Sequence, residues 1–513
     1  MDFGISQATL DLARAAWGAT IPASDIQRAF TSPASATQGL IAYDLEAPSK
    51  KLYPLLTPLR NKIARRADGY SIQSNWEVVN GINITNLDIG VSERNRGGVI
   101  NQSTARYMAA FVECGLETYA TWKADLASKN YEDVKALAQI QLLQSCMIQE
   151  EFLDLGGMAT IPMGQTPTPT VTDAGAALGT LLHSQAYYVG CVALNLKGYQ
   201  QLAGWNMGIT GQSMSLTTAL VQQITRANAD GSSDTYGAGV AIPSAACGTV
   251  TTGTQSSSAD THAINATVTP LNGAVGYAWY MGTSAATAAL VAVTTTGSVT
   301  ITSLPAAGAQ LFSALAATDY SCNSLVYDGM LTQLYKAGSG ATINTLANGA
   351  KLTSNGYGGI TEFDTVFTNM FNLYRTGPDE IYVNIQQLMD INALVISGGG
   401  APLFRFNLDG NNPGNIDAGI VVGSILNPAT NRKVQILVHP NMPPGTIMFW
   451  SNSVPYPLND IGSLVLKHLR RDYYAIEWPF TKRSYDYGVY FDGVLKNYFP
   501  PAFAIVNNIT QGH

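Results

Sequence analysis

Apolar positions recur at helical spacing most clearly in one stretch. Val134, Leu137, Ile140, Leu143 and Met147 form one stripe, and Leu142, Cys146 and Leu153 widen it. The spacing predicts a helix from about Tyr131 to Leu155, stopped by Gly156-Gly157. A shorter amphipathic helix is expected over 5–17, with Ile5, Leu12, Ala16 and Trp17 as apolar anchors and Ser6 near its start. From Ser32 to Lys51 no period emerges, which reads as an arm without a core of its own. Elsewhere the period is two. Ala186 to Leu194 and Val275 to Met281 read as strands, and the second carries Val275, Tyr277, Trp279 and Met281 on one face with Gly276 and Ala278 opposite, a half-buried pattern. Between Ser71 and Ile100, two β-rich stretches flank a turn expected at Asn80-Gly81, the second ending in Glu93-Arg94-Asn95-Arg96-Gly97-Gly98. A hairpin of that length with few large apolar residues cannot bury itself, so it is expected to project and find a partner. Further on, Pro378 to Asn384 reads as a strand followed by a helix from Gln386 to Val395. Strands are expected at Lys433–Val438, Thr446–Trp450, Tyr473–Trp478 and Tyr487–Phe491.

Composition divides this pattern into parts. A chain of 513 residues exceeds one ordinary core, so two or three domains are expected. Residues 163–318 carry only six charged residues (Asp173, Lys197, Arg226, Asp230, Asp234, Asp260), open with the Pro-Thr repeat Thr166 to Thr170, and are rich in Thr, Ser, Ala and Gly. Short strands with such turns predict a β-sandwich inserted into a host domain. The whole chain is 12% charged, about half the usual share. Such a surface is either hidden against neighbours or kept wet by Ser, Thr and Asn. A net charge of −7 argues against a dedicated nucleic-acid binder, though a container with a neutral or acidic inner wall remains compatible with DNA. Five widely spaced cysteines without a CxxC pair indicate neither a zinc site nor a disulfide framework and fit a reducing compartment. The start Met1-Asp2-Phe3 lacks a signal-peptide pattern, and nowhere are there 18 uninterrupted apolar residues, so no membrane partner is expected.

Candidate chemistry is sparse. His183, His262, His439 and His468 lack metal-ligand spacing and read as ordinary loop or core residues. Glu150 and Glu151 point about 100° apart on a helix and are expected as surface charges in subunit contacts, not as an acid/base pair. Gly398-Gly399-Gly400 is followed by Ala-Pro-Leu and is no phosphate loop. Asp409 to Asn415 lacks the far carboxylate of an EF-type calcium loop and reads as a surface loop. No nucleophile elbow is present. No catalytic residue, cofactor or metal is therefore expected. Glu93, Arg94 and Arg96 at the hairpin tip suit either salt bridges to a neighbouring subunit or a solvated turn. Lys467, Arg470, Arg471, Lys482 and Arg483 face either DNA or a neighbouring subunit, and the residues do not choose.

Four groups of residues carry a family resemblance. The first is Leu55-Leu56-Thr57-Pro58-Leu59-Arg60-Asn61-Lys62-Ile63, with Trp76 and the tract from Gly90 to Gly98. The second is Glu150-Glu151-Phe152-Leu153-Asp154-Leu155-Gly156-Gly157. The third pairs Tyr327-Asp328-Gly329-Met330-Leu331 with Gly377 to Val383, and the fourth runs from Val438-His439-Pro440 through Arg471-Asp472-Tyr473 to Tyr498-Phe499-Pro500. In this order they cover most of residues 50–160 and 320–508, and the chain resembles major capsid proteins of tailed bacteriophages with the Hong Kong 97-type fold.

That resemblance implies an α+β fold: an N-terminal arm (1–68), an extended loop hairpin (69–105), a peripheral domain with a spine helix (106–162), a mainly axial domain (319–430), and strands returning to both domains (431–513). The sandwich at 163–318 is similar to inserted immunoglobulin-like or fibronectin-type modules and is expected on the outer face. Implied partners are other copies of the chain in hexameric and pentameric capsomers, a portal, a scaffolding protein, a decoration protein and packaged double-stranded DNA held by non-specific contact. The implied location is the virion, after assembly in the host cytoplasm. Trp76, Glu93, Arg94 and Arg96 become the expected subunit contacts. Two features depart from the type phage. Residues 69–105 contain no Lys for an isopeptide crosslink in the same place, and the sequence begins at Met1 without a long cleaved segment, so a non-covalent shell is expected. Alternatives are an encapsulin-type nanocompartment shell and a phage surface adhesin or glycan-binding protein. The second leaves the long helix and the 320–508 matches unexplained.

Overall fold

The computed structural model describes residues 48–51, 53, 55–129, 131–202, 219–254, 261–398 and 422–512. The helix expected over 5–17, most of the arm from Ser32 to Lys51, Gly399-Gly400 and the tract from Asp409 to Asn415 lie outside the described residues. The described residues of 48–51 and 127–133 belong to one unit, in which the Ser49 N–H lies 3.4 Å from the Glu132 carboxylate. Residues 52–126 and 134–513 form the other.

In this larger unit the chain enters through α1 (Pro58–Lys62), where Pro58 occupies the first turn with its φ already fixed for a helix. Strand β1 (Ala64–Arg66) follows, then β2 (Gln73–Ile82), β3 (Gln102–Ala110), β4 (Val112–Thr121) and the short α2 (Trp122–Ala127). The predicted long helix is α3 (Val134–Gly156). Its buried line is Leu142, Cys146 and Glu150, four residues apart, set against Leu116, Tyr487 and Val489. Ile140 and Leu143 of the expected stripe stay exposed. The apolar residues of α3 spread over two adjacent lines, and the sheet beneath selects one of them. Gly156-Gly157 ends the helix as expected, but not through a left-handed residue. The constraint is proximity. A Cβ on Gly157 would overlap the Tyr327 carbonyl oxygen, one on Gly329 would overlap that of Leu153, and the Gly329 N–H donates to the Gly157 carbonyl at 2.8 Å.

The charge-poor segment contains β5 (Thr170–Leu181), β6 (Ala186–Leu194), α4 (Leu196–Leu202), β7 (Gln223–Ala227), β8 (Ser233–Gly237), β9 (Gly248–Thr251), β10 (His262–Thr267), β11 (Gly276–Gly282), β12 (Ala289–Thr294) and β13 (Ser298–Ile301). Two antiparallel sheets, ordered β13-β10-β5 and β12-β11-β6-β9, enclose a shared core of Val189, Cys191, Ile264, Ala266, Tyr277, Trp279, Met281 and Ile301. A sandwich is therefore present. Strand β11, however, is buried along its whole length and not on one face only. Ala278 and Tyr280 join the same core as Phe152, Leu155 and Leu331 of the host. The small residues read as a solvent face instead let the host pack close.

The chain continues through α5 (Met330–Tyr335), β14 (Thr342–Thr345), α6 (Thr361–Tyr374), β15 (Glu380–Val383), α7 (Ile385–Gly398), β16 (Ser424–Asn427), β17 (Arg432–Val438), β18 (Ile447–Trp450), β19 (Val465–Glu477), β20 (Ser484–Asn497) and β21 (Ala504–Asn507). A six-stranded mixed sheet, β14-β21-β18-β15-β17-β16, carries α6 through Phe363 and Phe367, whose rings meet Phe449 edge-on at 5.1 and 6.0 Å. A four-stranded sheet, β1-β19-β20-β4, carries α3. The fold is α+β, as expected. Strands β19 and β20 outrun the expected segments, because charged and glycine positions such as Lys467, Arg471 and Gly493 interrupt the apolar pattern while remaining in the ladder.

Gly157→Ala and Gly329→Ala each place a methyl group against a backbone carbonyl. Each variant should lose about 1–3 kcal/mol in urea unfolding, and an unchanged midpoint would refute the close-packed account of this helix end.

Candidate functional site

Three acids at the C-terminal end of α3 gather segments far apart in the chain. The Glu151 carboxylate accepts the N–H groups of Leu59 at 3.0 Å and Arg60 at 2.7 Å, capping α1, which has no side-chain cap of its own. Its Oε1 also lies 2.6 Å from His439 Nε2. His439 Nδ1 accepts the Asn441 N–H at 3.1 Å, so Nε2 is the protonated nitrogen and donates to Glu151. Glu150, fully buried, accepts Arg60 Nε at 3.0 Å, an Arg65 guanidinium nitrogen at 2.6 Å and the Tyr473 hydroxyl at 2.6 Å. Arg65 also grips Asp472 at 2.6 Å. Asp154 accepts Lys467 Nζ at 2.6 Å and the Tyr327 hydroxyl at 2.8 Å, and Lys467 also donates to Tyr327. Burial pushes the Glu150 carboxyl up, but Lys467 and Arg65 outweigh it and hold the group below its ordinary value. At Asp154 burial prevails and raises it.

These findings correct two expectations. Glu150 and Glu151 are not surface charges, because each buried oxygen has a donor from another segment. Nor do the five basic residues form one cluster. Lys467 is buried, Arg470 pairs with Asp492, Arg471 lies over the Tyr474 ring at 4.0 Å and Arg483 over Trp122 at 5.9 Å. The set of Arg60, Arg65, Asp154, His439 and Tyr473 went unrecognised as a cluster in the sequence. A signal existed: three acids within five residues at the end of an otherwise apolar helix require buried cations.

The second feature is the hairpin. Strands β2 and β3 pair in register from Gln73↔Ala110 to Ile82↔Gln102. Asn80-Gly81 is not its turn. The register shifts between Val79 and Gly81, which makes the dipeptide a bulge, and the chain reverses over residues 83–101. The root is fastened to the four-stranded sheet. His468 Nδ1 lies 2.9 Å from Ser74 Oγ and its Nε2 lies 3.1 Å from Asp68, while Arg470 donates to the Ser71 carbonyl at 3.1 Å. Trp76 belongs to this root. It stacks on Tyr107 at 5.8 Å, meets Tyr498 edge-on at 6.2 Å and lies under Lys496 Nζ at 5.4 Å. Glu93, Arg94 and Arg96 are exposed in the distal loop, with Arg94 at φ +70°. Around them Ile82, Ile84, Val91 and Val99 are exposed, and Ile89 is 99% exposed.

Among the described residues no group of three His, Cys, Asp or Glu is arranged to hold a metal ion, and no helix is long and apolar enough to cross a membrane. All five cysteines are unpaired, and burial pushes the thiols of Cys114 and Cys146 up to about 12 and about 11, away from the nucleophilic thiolate.

Replacing Lys467 by Met leaves Asp154 without its cation, beside a Glu150 that keeps Arg60 and Arg65. Urea unfolding should show a loss of about 3–5 kcal/mol, and a loss below about 1 kcal/mol would mean the cluster does not hold the fold. Burial, aided by Lys496, lowers the His468 imidazole despite Asp68 beside it. The unfolded chain therefore takes up this proton first as pH falls below about 6.5. The contribution of His468 is complete above that pH and is lost toward the lowered folded value. His468→Gln should flatten this part of the stability–pH profile, and an identical slope in the variant would contradict the assignment.

No family model and no curated protein matches the chain. Similar solved structures include the capsid of Myoviridae phage XM1, at 8% identity over 96% of this chain and 100% of that one, with a TM-score of 0.38. The capsid of a native GTA particle is similar at 9% identity over 94% and 100%, with a TM-score of 0.41. A holo-encapsulin complex from Synechococcus elongatus is similar over 36% of this chain and 59% of its own, at 15% identity and a TM-score of 0.22.

Proposed function

We propose that this chain is a major capsid protein of a tailed bacteriophage, building hexamers and pentamers of an icosahedral shell around double-stranded DNA. One observation carries the reading: a hairpin rooted through His468, Trp76 and Arg470 ends in a distal part whose Ile82, Ile84, Ile89, Val91 and Val99 are exposed among the described residues. A two-stranded hairpin is marginal in water on its own, and a contiguous exposed apolar surface marks an interaction site. Other copies of the chain are the natural cover in a lattice. In this reading residues 69–105 are the extended loop, α3 is the spine helix of the peripheral domain, the six-stranded sheet belongs to the axial domain, and residues 1–68 are the arm. The sandwich is an immunoglobulin-like insert on the outer face, open to a decoration protein. A portal and a scaffolding protein complete the partners, and the virion is the location. The chain catalyses nothing, its own crosslinking included, since the loop offers no lysine. Glu93, Arg94 and Arg96 form salt bridges to the next subunit, whereas Trp76 supports the hairpin from inside its own subunit.

Negative-stain microscopy of the chain expressed alone tests this directly. Capsomer rings or closed shells are expected, and dispersed monomers at all concentrations would overturn the reading. Arg96→Glu reverses an exposed charge without touching the core. It should reduce particle yield at least about tenfold, as a lost charge-assisted contact repeated around a ring would, while leaving monomer unfolding unchanged. Wild-type yield would remove the loop arginine from the interface.

A further inference from the structure

Besides the core it shares with its host, the sandwich makes two sets of polar attachments to it. At its root the entering and leaving segments are zipped together. Asn323 N–H donates to the Met158 carbonyl at 2.9 Å, Asp328 accepts the N–H of Ala159 at 2.6 Å, and Asp319 accepts that of Gly164 at 2.7 Å. Val275, Ala278 and Tyr280 then share a core with Phe152 and Leu155 at the end of α3. The second attachment lies beyond the ends of β14 and β21 in the six-stranded sheet. Asn508 Oδ1 accepts the buried N–H of Gly297, in the turn between β12 and β13, at 2.7 Å. Asn508 Nδ2 reaches the Leu346 carbonyl at 2.7 Å and Asn348 Oδ1 at 3.0 Å, and Asn348 Nδ2 donates to the Val268 carbonyl at 2.9 Å. The Val268 N–H closes the ring on the Gly297 carbonyl at 2.8 Å. Gly297 has to be glycine, because a Cβ would lie 2.7 Å from Asn348 Oδ1 and 2.8 Å from the Val268 carbonyl oxygen. Asn508 itself sits at φ +62°, a conformation that Asn tolerates better than most residues.

We propose that the inserted sandwich is an internal brace, which ties the edge of the six-stranded sheet to the end of α3 through the Asn348–Asn508 clasp. A module that served only as a surface platform would need its root alone. The clasp adds a second, directional attachment made of two amide side chains and two backbone turns, each with donors and acceptors matched. The clasp restrains rotation about the root, so the module reinforces the angle between the six-stranded sheet and α3 that the Glu151–His439 contact also holds. The brace stands on these contacts alone. Its consequence, that shell curvature depends on the module, rests on the capsid reading.

The test compares the full chain with Asn508→Ala and with the milder Asn348→Ala, which leaves the Gly297–Asn508 bond in place. Hydrogen–deuterium exchange reads the clasp whether or not particles form. At the Gly297 amide, Asn508→Ala should speed exchange by about tenfold, the effect of one lost buried hydrogen bond. Residues 268 and 346–348 should loosen with it, while the root amides of Gly164 and Asn323 stay protected. Should Asn508→Ala fail to fold, Asn348→Ala carries the test through faster exchange at residue 268, whose carbonyl loses its donor. Unchanged exchange in a folded variant overturns the brace. Particle sizing then reads curvature: a broadened size distribution in the variants supports the consequence, and wild-type uniformity overturns it. Absence of particles from the unmutated chain would count against the capsid reading and leave the exchange result standing.

Discussion

The carboxylates of Glu150, Glu151 and Asp154 at the end of α3 are the constraint on which the other contacts depend. Buried carboxylates are costly unless donors meet them. Here the donors come from α1 and β1, from Tyr327 after the sandwich, from His439 after β17, and from Lys467 and Tyr473 on β19. Satisfying one short stretch of helix therefore fixes the order in which remote segments meet. Asp154 is the most dependent of the three, because Lys467 is the cation that meets it.

From that fixed point the two sheets acquire different tasks. The four-stranded sheet carries α3 on one side and anchors the hairpin root through His468 and Arg470. The six-stranded sheet carries α6 and ends in the clasp to the sandwich. Rigidity is thus concentrated in the body of the subunit, whereas the apolar side chains without cover lie in the distal part of the hairpin. Under the proposed capsid function this division has a use: the frame sets geometry, and a neighbouring copy completes the arm.

Much of the frame was legible in the sequence. Strand Ala186–Leu194 and the helices α3 and α7 follow from their periods, because long apolar repeats leave little choice of structure. Composition marked the sandwich. What stayed illegible has physical causes. The period of β11 hides its second buried face, since Ala278 and Gly276 look polar-neutral until a neighbouring core closes on them. Asn80-Gly81 carries the preference of a turn but serves as a bulge, because the register of the hairpin continues past it. Glu150, Glu151 and Lys467 look solvated, since burial of a charge depends on partners up to 323 residues away. Trp76 also has partners within the chain, Tyr498 and Lys496, that its place in the hairpin pattern does not announce.

The central claim is that the hairpin loop is an assembly arm, completed by a neighbouring copy while the charge cluster stays unchanged. Hydrogen exchange of the same preparation, before and after particles form, tests it most directly. The account predicts new protection across residues 83–101 on assembly, with the amides of Leu59 and Arg60 equally protected in both states. A loop that exchanges as freely in particles as in the dissociated subunit would contradict it.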